Sequence, residues 1–213
     1  MATVTFDITM SLDGFVAGPD ANAEQPLGAG GEELHDWVYN LASWREPHGL
    51  AGGEVNADNE VLAEAMQDVR AYVMGRGMFG GGDGPWGEEP WEGWWGDDPP
   101  YHAPVFVLTH HAREPLEKDG GTTFHFVTDG IEAAVARASE AAGGGRVLIA
   151  GGANVAQQAL RAGLVDKMQI HVAPILLGGG VRLFDDLGPS IGVELVRTVS
   201  SPKVTHLKYR IVK

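Results

Sequence analysis

A strand, a glycine turn and a helix follow one another without interruption in residues 146–164. Residues 147–150 form a short apolar run typical of a buried strand, and the run ends at Gly151-Gly152. Apolar residues at helical spacing follow from Asn154 onwards. A turn of this kind presents free backbone N–H groups and the positive end of a helix dipole to a bound anion. This stretch therefore makes a nucleotide phosphate a candidate ligand.

A second strand is predicted directly after this helix, at 167–172, and a second glycine cluster follows it at 178–180. Two more strand-like segments, 193–200 and 204–212, predict a closing antiparallel hairpin. Strand-like and helix-like segments also alternate upstream, which is typical of a sheet covered by helices. We therefore predict an α/β fold with three layers (αβα), a mostly parallel mixed sheet and a C-terminal antiparallel hairpin.

Composition narrows the classes of partner. The 213 residues include 29 acidic and 15 basic ones, which gives a formal net charge of −14. Nucleic acids and anionic membranes bind clusters of Lys and Arg, so we expect neither as a partner. No cysteine is present, and no apolar run or signal-peptide pattern indicates a membrane span or secretion. We expect a single domain, 1–213, in the cytoplasm.

GGANV at 151–155 and GLVDKMQIHVAPILLGGG at 163–180 resemble the cofactor half of the dihydrofolate reductase-like superfamily. Within it, they most resemble the branch named for the C-terminal reductase domain of bacterial riboflavin biosynthesis. The resemblance implies an NADPH-dependent reductase that transfers a hydride to a C=N or C=O group of a small heterocyclic or sugar-derived substrate. The specific activity to test is the 5-amino-6-(5-phosphoribosylamino)uracil reductase step. The resemblance also implies a homodimer.

Three segments correspond to the cofactor site of that superfamily. Gly75 and Arg76 would hold phosphate oxygens, because a guanidinium is permanently charged and offers several donors. A glycine turn with a surface arginine is the alternative interpretation of this pair. The other two segments comprise Leu108, Thr109 and His110 against the adenosine and its 2′-phosphate, and the turn formed by Gly151, Gly152, Ala153, Asn154 and Val155.

The 2′-phosphate partners would be His110 and nearby Arg113, which would favour NADPH over NADH. His110 and His111 could also be interpreted as metal ligands. Adjacent strand residues point to opposite faces, however, so the two imidazoles would not chelate one ion. We therefore expect no metal site.

The resemblance assigns a second group of residues to the nicotinamide and the substrate. The backbone of Ala17 would contact the carboxamide, and Phe15 would face the substrate where riboflavin reductases commonly carry a basic residue. Asp36, on a helix predicted at 32–44, would orient the substrate and support its protonation, with Trp37 as a stacking wall. A proton-donating carboxyl group needs an apolar cleft that raises its pKa. The alternative is that Asp36 is a solvated helix residue.

Two further questions stay open at the level of sequence. Four tryptophans, Trp86, Trp91, Trp94 and Trp95, stand among acidic residues in a segment rich in Gly and Pro. They would form either a lid over an apolar substrate pocket or a dimer contact.

The competing function is a non-catalytic dimer that binds a nucleotide or small molecule. Phe15 and Met78 favour it because they depart from the superfamily pattern.

Overall fold

The computed structural model describes residues 2–22 and 24–213. The described residues form β-strands, α-helices and three short 3₁₀ turns. The strands are β1 Thr3–Ser11, β2 Phe15–Ala17, β3 Val69–Gly75, β4 Pro104–Leu108, β5 Leu116–Glu117, β6 Thr123–Val127, β7 Arg146–Gly151, β8 Lys167–Ala173, β9 Val181–Arg182, β10 Val193–Ser200 and β11 Thr205–Ile211. The helices are α1 Ala42–Arg45, α2 Ala57–Met66, α3 Arg76–Phe79, α4 Ile131–Ala141 and α5 Ala153–Arg161. The predicted α/β class, with a mixed and mostly parallel central sheet flanked by helices, is confirmed.

The first compact unit comprises the chain up to Phe6 and Asp68–Asp166. Its strand order is β1–β7–β3–β4–β6–β5, and only the short β5 is antiparallel to its neighbour. Both β3 and β4 carry unbroken buried runs, as expected for parallel strands covered on both faces. Their core cluster comprises Tyr72, Met74, Phe79, Val105, Val107, Phe124 and Leu148.

The second compact unit comprises Asp7–Gln67 and Lys167–Lys213. It contains the strand order β10–β11–β8, all antiparallel, with the last residues of β1 following β8. The hairpin predicted at the C-terminus is confirmed: β10 pairs with β11 and the turn closes through a Ser201 N–H to Val204 carbonyl bond of 2.9 Å. Strands β2 and β9 form a separate small antiparallel sheet.

The helix predicted at 32–44 is wrong. Instead, a 3₁₀ turn occupies Gly31–His35, further turns follow, and α1 begins only at Ala42. The N–H groups of Val38 and Leu41 bond to carbonyl groups three residues earlier, the spacing of 3₁₀ turns. The apolar spacing in the sequence still reports burial correctly, because tight successive turns can bury the same residues as a helix.

No helix within residues 2–22 and 24–213 is both long enough and apolar enough to cross a bilayer.

Candidate active site

The carboxyl ends of three adjacent parallel strands carry the predicted cofactor residues of the first unit. In the register of β3 and β4, Gly75 pairs with Leu108, and in that of β3 and β7, Met74 pairs with Gly151. Arg76, Thr109 and the glycine turn therefore follow three neighbouring strand ends. The carboxyl edge of a parallel sheet is where α/β proteins bind their ligands. The structure thus brings together three segments that are far apart in sequence.

The glycine turn connects β7 to α5 as the sequence predicts. Gly151 has φ 142° and its peptide bond to Gly152 is cis. Gly152 is the N-cap of α5 and supplies no side-chain hydrogen bond to the first turn, so these backbone N–H groups are not capped by their own helix. The Asn154 side chain accepts a 2.6 Å hydrogen bond from Gln158. The nine-residue helix α5 thus begins at a glycine N-cap, and the N–H groups of such a helix start can bind an anion.

Gly75 allows β3 to approach α5 closely. A Cβ atom at this position would lie 2.9 Å from Cγ2 of Val155. The backbone of Gly75, at φ −83° and ψ 157°, is ordinary extended chain. Steric contact with Val155, and not backbone freedom, therefore makes glycine the residue that fits here.

Arg76 is not a surface residue, since only 8% of it is exposed. Its Nε donates to the Gly80 carbonyl at 3.1 Å and its Nη2 to the Gly81 carbonyl at 2.9 Å. Nη1 donates to Oγ1 of Thr109 at 3.4 Å. The guanidinium therefore connects the end of β3 with the end of β4 and with the loop after α3, and all these partners are uncharged.

A second guanidinium lies close to the first, and both contact one indole. The Arg76 Cζ lies 3.1 Å from the Trp86 ring centroid, and the Arg113 Cζ lies 4.9 Å from it. The ion pairs found among the described residues include neither arginine. Burial lowers the pKa of both guanidinium groups, while Asp83 and Glu92 respectively oppose this effect. In a chain of net charge −14, this is a local concentration of positive charge.

Thr109 and its neighbours complete this edge. Its Oγ1 also accepts a hydrogen bond from the His111 N–H at 3.2 Å, and the Trp86 indole donates to the His111 carbonyl at 2.9 Å. His110 itself is exposed. The turn after β4 is thus held by the same threonine and tryptophan that contact Arg76.

Two tryptophans of the loop after α3 donate hydrogen bonds to the end of that helix. The Trp91 indole donates to the Phe79 carbonyl at 2.9 Å, and the Trp94 indole donates to the Met78 carbonyl at 3.0 Å. These carbonyl groups belong to the last residues of α3, and no later N–H group of the helix is available to donate to them. Trp95 packs against the core of the first unit. Three of the four indoles therefore donate to backbone carbonyls.

In the second unit, the second glycine cluster binds a carboxylate of the chain itself. Asp13 accepts hydrogen bonds from the Leu177 N–H at 3.1 Å and from the Gly178 N–H at 2.7 Å. The Ser11 hydroxyl also donates to it at 2.5 Å. The Ser11 bond lowers the pKa of Asp13 most, and the backbone bonds act in the same direction. These two N–H groups are therefore already used and are not free for a phosphate.

Phe15 and Ala17 lie in β2 and pair with β9. Phe15 is opposite Arg182, and Ala17 is opposite Val181. Phe15 is buried, and the Arg182 Cζ lies 4.5 Å from its ring centroid. The Arg182 guanidinium thus lies over Phe15, which stands where riboflavin reductases commonly carry a basic residue. The contact predicted between Ala17 and a nicotinamide stays a prediction.

Asp36, the predicted catalytic residue, and Trp37, the predicted stacking wall, are not arranged as the first interpretation required. Asp36 is exposed, which agrees with the alternative of a solvated residue and not with a carboxyl group in an apolar cleft. Trp37 is only 4% exposed, and its ring contacts those of His171 and His206 at centroid distances of 4.7 and 5.0 Å. Its indole donates to Thr9 at 3.3 Å. Little of Trp37 is therefore left for a substrate.

Sequence reasoning missed a buried polar line in the second unit. The Asp7 carboxylate, the imidazoles of His171 and His206, and the Asp58 carboxylate bond to one another in that order. A signal existed in β1, where polar residues alternate with apolar ones, although Thr9 and Ser11 are buried as deeply as their apolar neighbours. A polar face buried along a strand indicates internal polar partners.

Comparison with known proteins gives the family. The profile described as the RibD C-terminal domain matches residues 2–207. The chain belongs to the RibD C-terminal domain family. No curated protein sequence matches it significantly.

Solved structures agree with this membership. A protein from Shewanella sp. PV-4, named for riboflavin biosynthesis, is 25% identical with a TM-score of 0.65, and the match covers 100% of both chains. RibD from Acinetobacter baumannii is 17% identical with a TM-score of 0.57, and the match covers 100% of this chain but 59% of that one. Dihydrofolate reductase from Enterococcus faecalis, complexed with NADP(H) and RAB-propyl, is 14% identical with a TM-score of 0.50, covering 99% and 97%. The last two comparisons show the shared fold alone, which is dihydrofolate reductase-like.

The RibD C-terminal domain family supports a reductase enzyme, and the predicted resemblance is confirmed. Within this RibD-type chain, the cofactor residues expected in the first unit follow neighbouring strand ends, whereas Asp36 is exposed. The buried line from Asp7 to Asp58 is the polar feature that the expected site does not account for.

Proposed function

We propose that this RibD-family protein is an NADPH-dependent reductase that transfers a hydride to a C=N or C=O group of a small heterocyclic or sugar-derived substrate. The proposal rests above all on one observation: Arg76 and Arg113 both contact Trp86, at the sheet edge where α5 begins with a glycine N-cap that makes no side-chain hydrogen bond. Bound NADPH would supply the hydride. The chain's own residues would hold its phosphates.

The donors on this edge fit a phosphorylated nucleotide. Phosphate oxygens accept hydrogen bonds from guanidinium groups, hydroxyl groups and helix N-terminal N–H groups. At this edge, Arg76 and Arg113 provide the guanidinium groups, Thr109 provides the hydroxyl group, and the start of α5 provides the N–H groups. An overall charge of −14 would repel such a ligand elsewhere, so the local positive charge has to attract it.

We also propose that the protein binds NADPH in preference to NADH. The 2′-phosphate adds about two negative charges that a pair of guanidiniums can balance. Arg113 and the exposed His110 follow β4, where the resemblance places the adenosine. The charge of Arg113 supports NADPH as the preferred cofactor.

The reaction we propose to test first is reduction of 5-amino-6-(5-phosphoribosylamino)uracil. RibD-family membership supports a riboflavin-pathway reductase, and a Thermotoga maritima protein that shares the fold carries this reductase activity in its name. The Arg182 guanidinium over Phe15 is a group that can pair with a substrate phosphate.

The decisive experiment measures binding and turnover separately. Calorimetric titration with NADPH and NADH should show tighter binding of NADPH. Loss of NADPH absorbance on addition of the pyrimidine substrate, with the reduced product identified by mass spectrometry, should then show turnover. Failure to bind either nucleotide would remove the cofactor assignment. NADPH binding without turnover of this or related carbonyl and imine substrates would favour the competing function, a non-catalytic nucleotide-binding dimer.

We also propose that the protein is a homodimer. Val193, Leu195 and Val196 on the edge strand β10 are 45%, 55% and 56% exposed, an unusual row of apolar side chains on a sheet edge. Light scattering after size-exclusion chromatography should give twice the mass of 22.6 kDa. Leu195→Glu should give the monomer mass if this strand forms the interface, and an unchanged dimer would place the interface elsewhere.

A further inference from the structure

Five residues directly after α3, 80–84 with the sequence GGGDG, hold the Arg76 guanidinium through their main chain. Its Nε donates to the Gly80 carbonyl at 3.1 Å, and its Nη2 donates to the carbonyls of Gly81 and Gly84 at 2.9 and 3.4 Å. The remaining nitrogen, Nη1, donates to a threonine in the turn after β4. Every nitrogen of this guanidinium is therefore engaged, mostly by the stretch 80–84, which we call the glycine segment.

The acceptors that Arg76 contacts are uncharged carbonyl and hydroxyl groups, although only 8% of the residue is exposed. Burial lowers the pKa of Arg76 most, and repulsion by Arg113 acts in the same direction, whereas the charge of Asp83 opposes both. A guanidinium binds a phosphate more strongly than a carbonyl group, because the phosphate carries charge and accepts two parallel hydrogen bonds. The glycine segment is thus a weaker partner for Arg76 than a phosphate would be.

A phosphate cannot reach Arg76 while the glycine segment stays in place. The guanidinium is buried, and three of its hydrogen bonds end on carbonyl oxygens of this segment. A phosphate oxygen can accept from the same nitrogen atoms only after these carbonyl groups have moved away. Phosphate binding at Arg76 and the contacts of the glycine segment are therefore mutually exclusive.

The glycine segment lies between two well-anchored points of the first unit. Before it, the indoles of Trp91 and Trp94 donate to the last carbonyl groups of α3. After it, Trp86 donates to the His111 carbonyl at 2.9 Å and packs edge-on against Phe126 at a centroid distance of 5.0 Å. A movement that releases Arg76 can therefore be confined to the few residues between these points.

The second half of the glycine segment is the part that can move with the least loss of packing. A Cβ at Gly80 or Gly81 would meet an indole ring at 2.8 or 2.7 Å, whereas a Cβ at Gly82 or Gly84 would have no neighbour within 4 Å. Gly82 has φ 71°, a value that glycine adopts without strain. Residues 82–84 are all exposed. Few packing contacts oppose a change of conformation here.

We propose that the glycine segment is an internal competitor for the cofactor phosphate: its carbonyl groups occupy Arg76 and move away when a phosphate of NADPH binds there. This inference rests on the proposed cofactor site at Arg76. The segment would then determine both how tightly and how fast the protein binds NADPH.

An internal competitor adds a step to the association of NADPH. The observed association rate should rise with NADPH concentration at first, and should level off at the rate at which the glycine segment moves. The Trp86 ring lies 3.1 Å from the Arg76 guanidinium carbon, so its fluorescence should change in this step. Stopped-flow fluorescence measures the rate, and Trp86→Phe identifies the part of the signal that comes from this indole.

A first test follows the glycine segment directly and uses the absence of cysteine from the chain. Gly84→Cys introduces a single thiol for a nitroxide label, at a position where a Cβ has no neighbour within 4 Å. Saturating NADPH should make the EPR spectrum that of a more mobile label, because the segment has left Arg76. Gly87→Cys, beyond Trp86 and equally open, is the matched control and should keep its spectrum.

A second test weakens the competitor. Asp83 attracts Arg76 from within the glycine segment, so Asp83→Asn should ease its release. The plateau of the association rate and the affinity for NADPH should each rise by roughly two- to fivefold, the range for one exposed pair of opposite charges. Glu88→Gln removes the same charge from an exposed position outside the segment and should leave the plateau unchanged. An equal change of the plateau in both variants would assign the effect to overall charge and overturn the proposal.

The outcomes separate this inference from the cofactor assignment. If NADPH binds while the label at position 84 keeps its spectrum and the association rate rises linearly, the competitor is wrong and the cofactor assignment stands. If calorimetry detects no binding of NADPH, the cofactor assignment and the competitor fail together.

Discussion

The guanidinium carbon of Arg76 lies 3.1 Å from the centre of the Trp86 ring. Trp86 in turn donates its indole N–H to the His111 carbonyl at 2.9 Å. One arginine and one tryptophan thereby connect the end of β3, the loop after α3 and the turn after β4. Changes at Arg76 should consequently affect both the local positive charge and the order of this loop.

Replacing Arg76 by Ala should weaken the binding of both NADPH and NADH by roughly 1–3 kcal/mol for a lost charged hydrogen bond, because Arg76 would hold phosphate oxygens that both nucleotides carry. Calorimetry with both nucleotides measures the difference. Arg137→Ala is the control, because Arg137 is half-exposed and pairs with Asp129 in the same unit. Unchanged binding of both nucleotides in Arg76→Ala would show that Arg76 does not hold a cofactor phosphate.

Gly75→Ala should destabilise the fold by about 1–3 kcal/mol, the usual cost of an inserted methyl group in a packed site, because the new Cβ would lie 2.9 Å from Val155. Urea unfolding measures this change, and Gly75→Ala with Val155→Ala should recover part of it. Gly77→Ala is the matched control, since a Cβ there has no neighbour within 4 Å. If the double variant loses as much stability as the two single variants added together, the two positions are independent and the contact is contradicted.

Stability should fall as the pH decreases below 6.5, partly because of His35. Burial lowers the pKa of this imidazole from the usual 6.5 in the folded protein. Below that pH the unfolded chain protonates His35 more readily than the folded protein does. The stability contributed by neutral His35 is therefore complete above pH 6.5 and is lost as the pH falls towards the pKa of His35 in the folded protein. Urea unfolding over this range should be less pH-dependent for His35→Gln, whereas exposed His48→Gln should keep the wild-type dependence. An unchanged slope in His35→Gln would show that His35 titrates normally in the fold.

Arg182→Gln should raise the KM for the phosphorylated pyrimidine substrate by roughly tenfold or more, as expected for a lost charged hydrogen bond, and change kcat little. The reason is the Arg182 guanidinium over Phe15, the position at which riboflavin reductases carry their basic residue. Steady-state kinetics measures both constants. Arg210→Gln, which removes an exposed partner of Glu194, is the control. Should KM stay constant in Arg182→Gln, the substrate phosphate binds elsewhere.

The parts of this fold that follow from local sequence could be predicted. Apolar runs that end at glycine locate β3 and β7, and parallel strands place such ends at one edge of a sheet. The resemblance to the reductase superfamily grouped Gly75, Arg76 and the Gly151 turn, and the strand register places them at one sheet edge. The prediction from apolar spacing failed at 32–44, because 3₁₀ turns and an α-helix can bury apolar residues at the same spacing.

The buried line of Asp7, His171, His206 and Asp58 could not be predicted in the same way. Its hydrogen bonds join residues 35 to 164 positions apart, and the two histidines meet only through the register of β8 with β11. No local pattern encodes that register. A lone His171 inside an apolar strand indicates a partner but does not identify which one.

Asp13 bound to the N–H groups of Leu177 and Gly178 gives the second glycine turn a permanent occupant. A carboxylate tethered by the chain has an effective concentration of about millimolar or more. An anion in solution would have to displace it before it could bind those two N–H groups. The two glycine turns are therefore unequal: the second is ligated by the chain itself, whereas the N-cap of α5 makes no side-chain hydrogen bond.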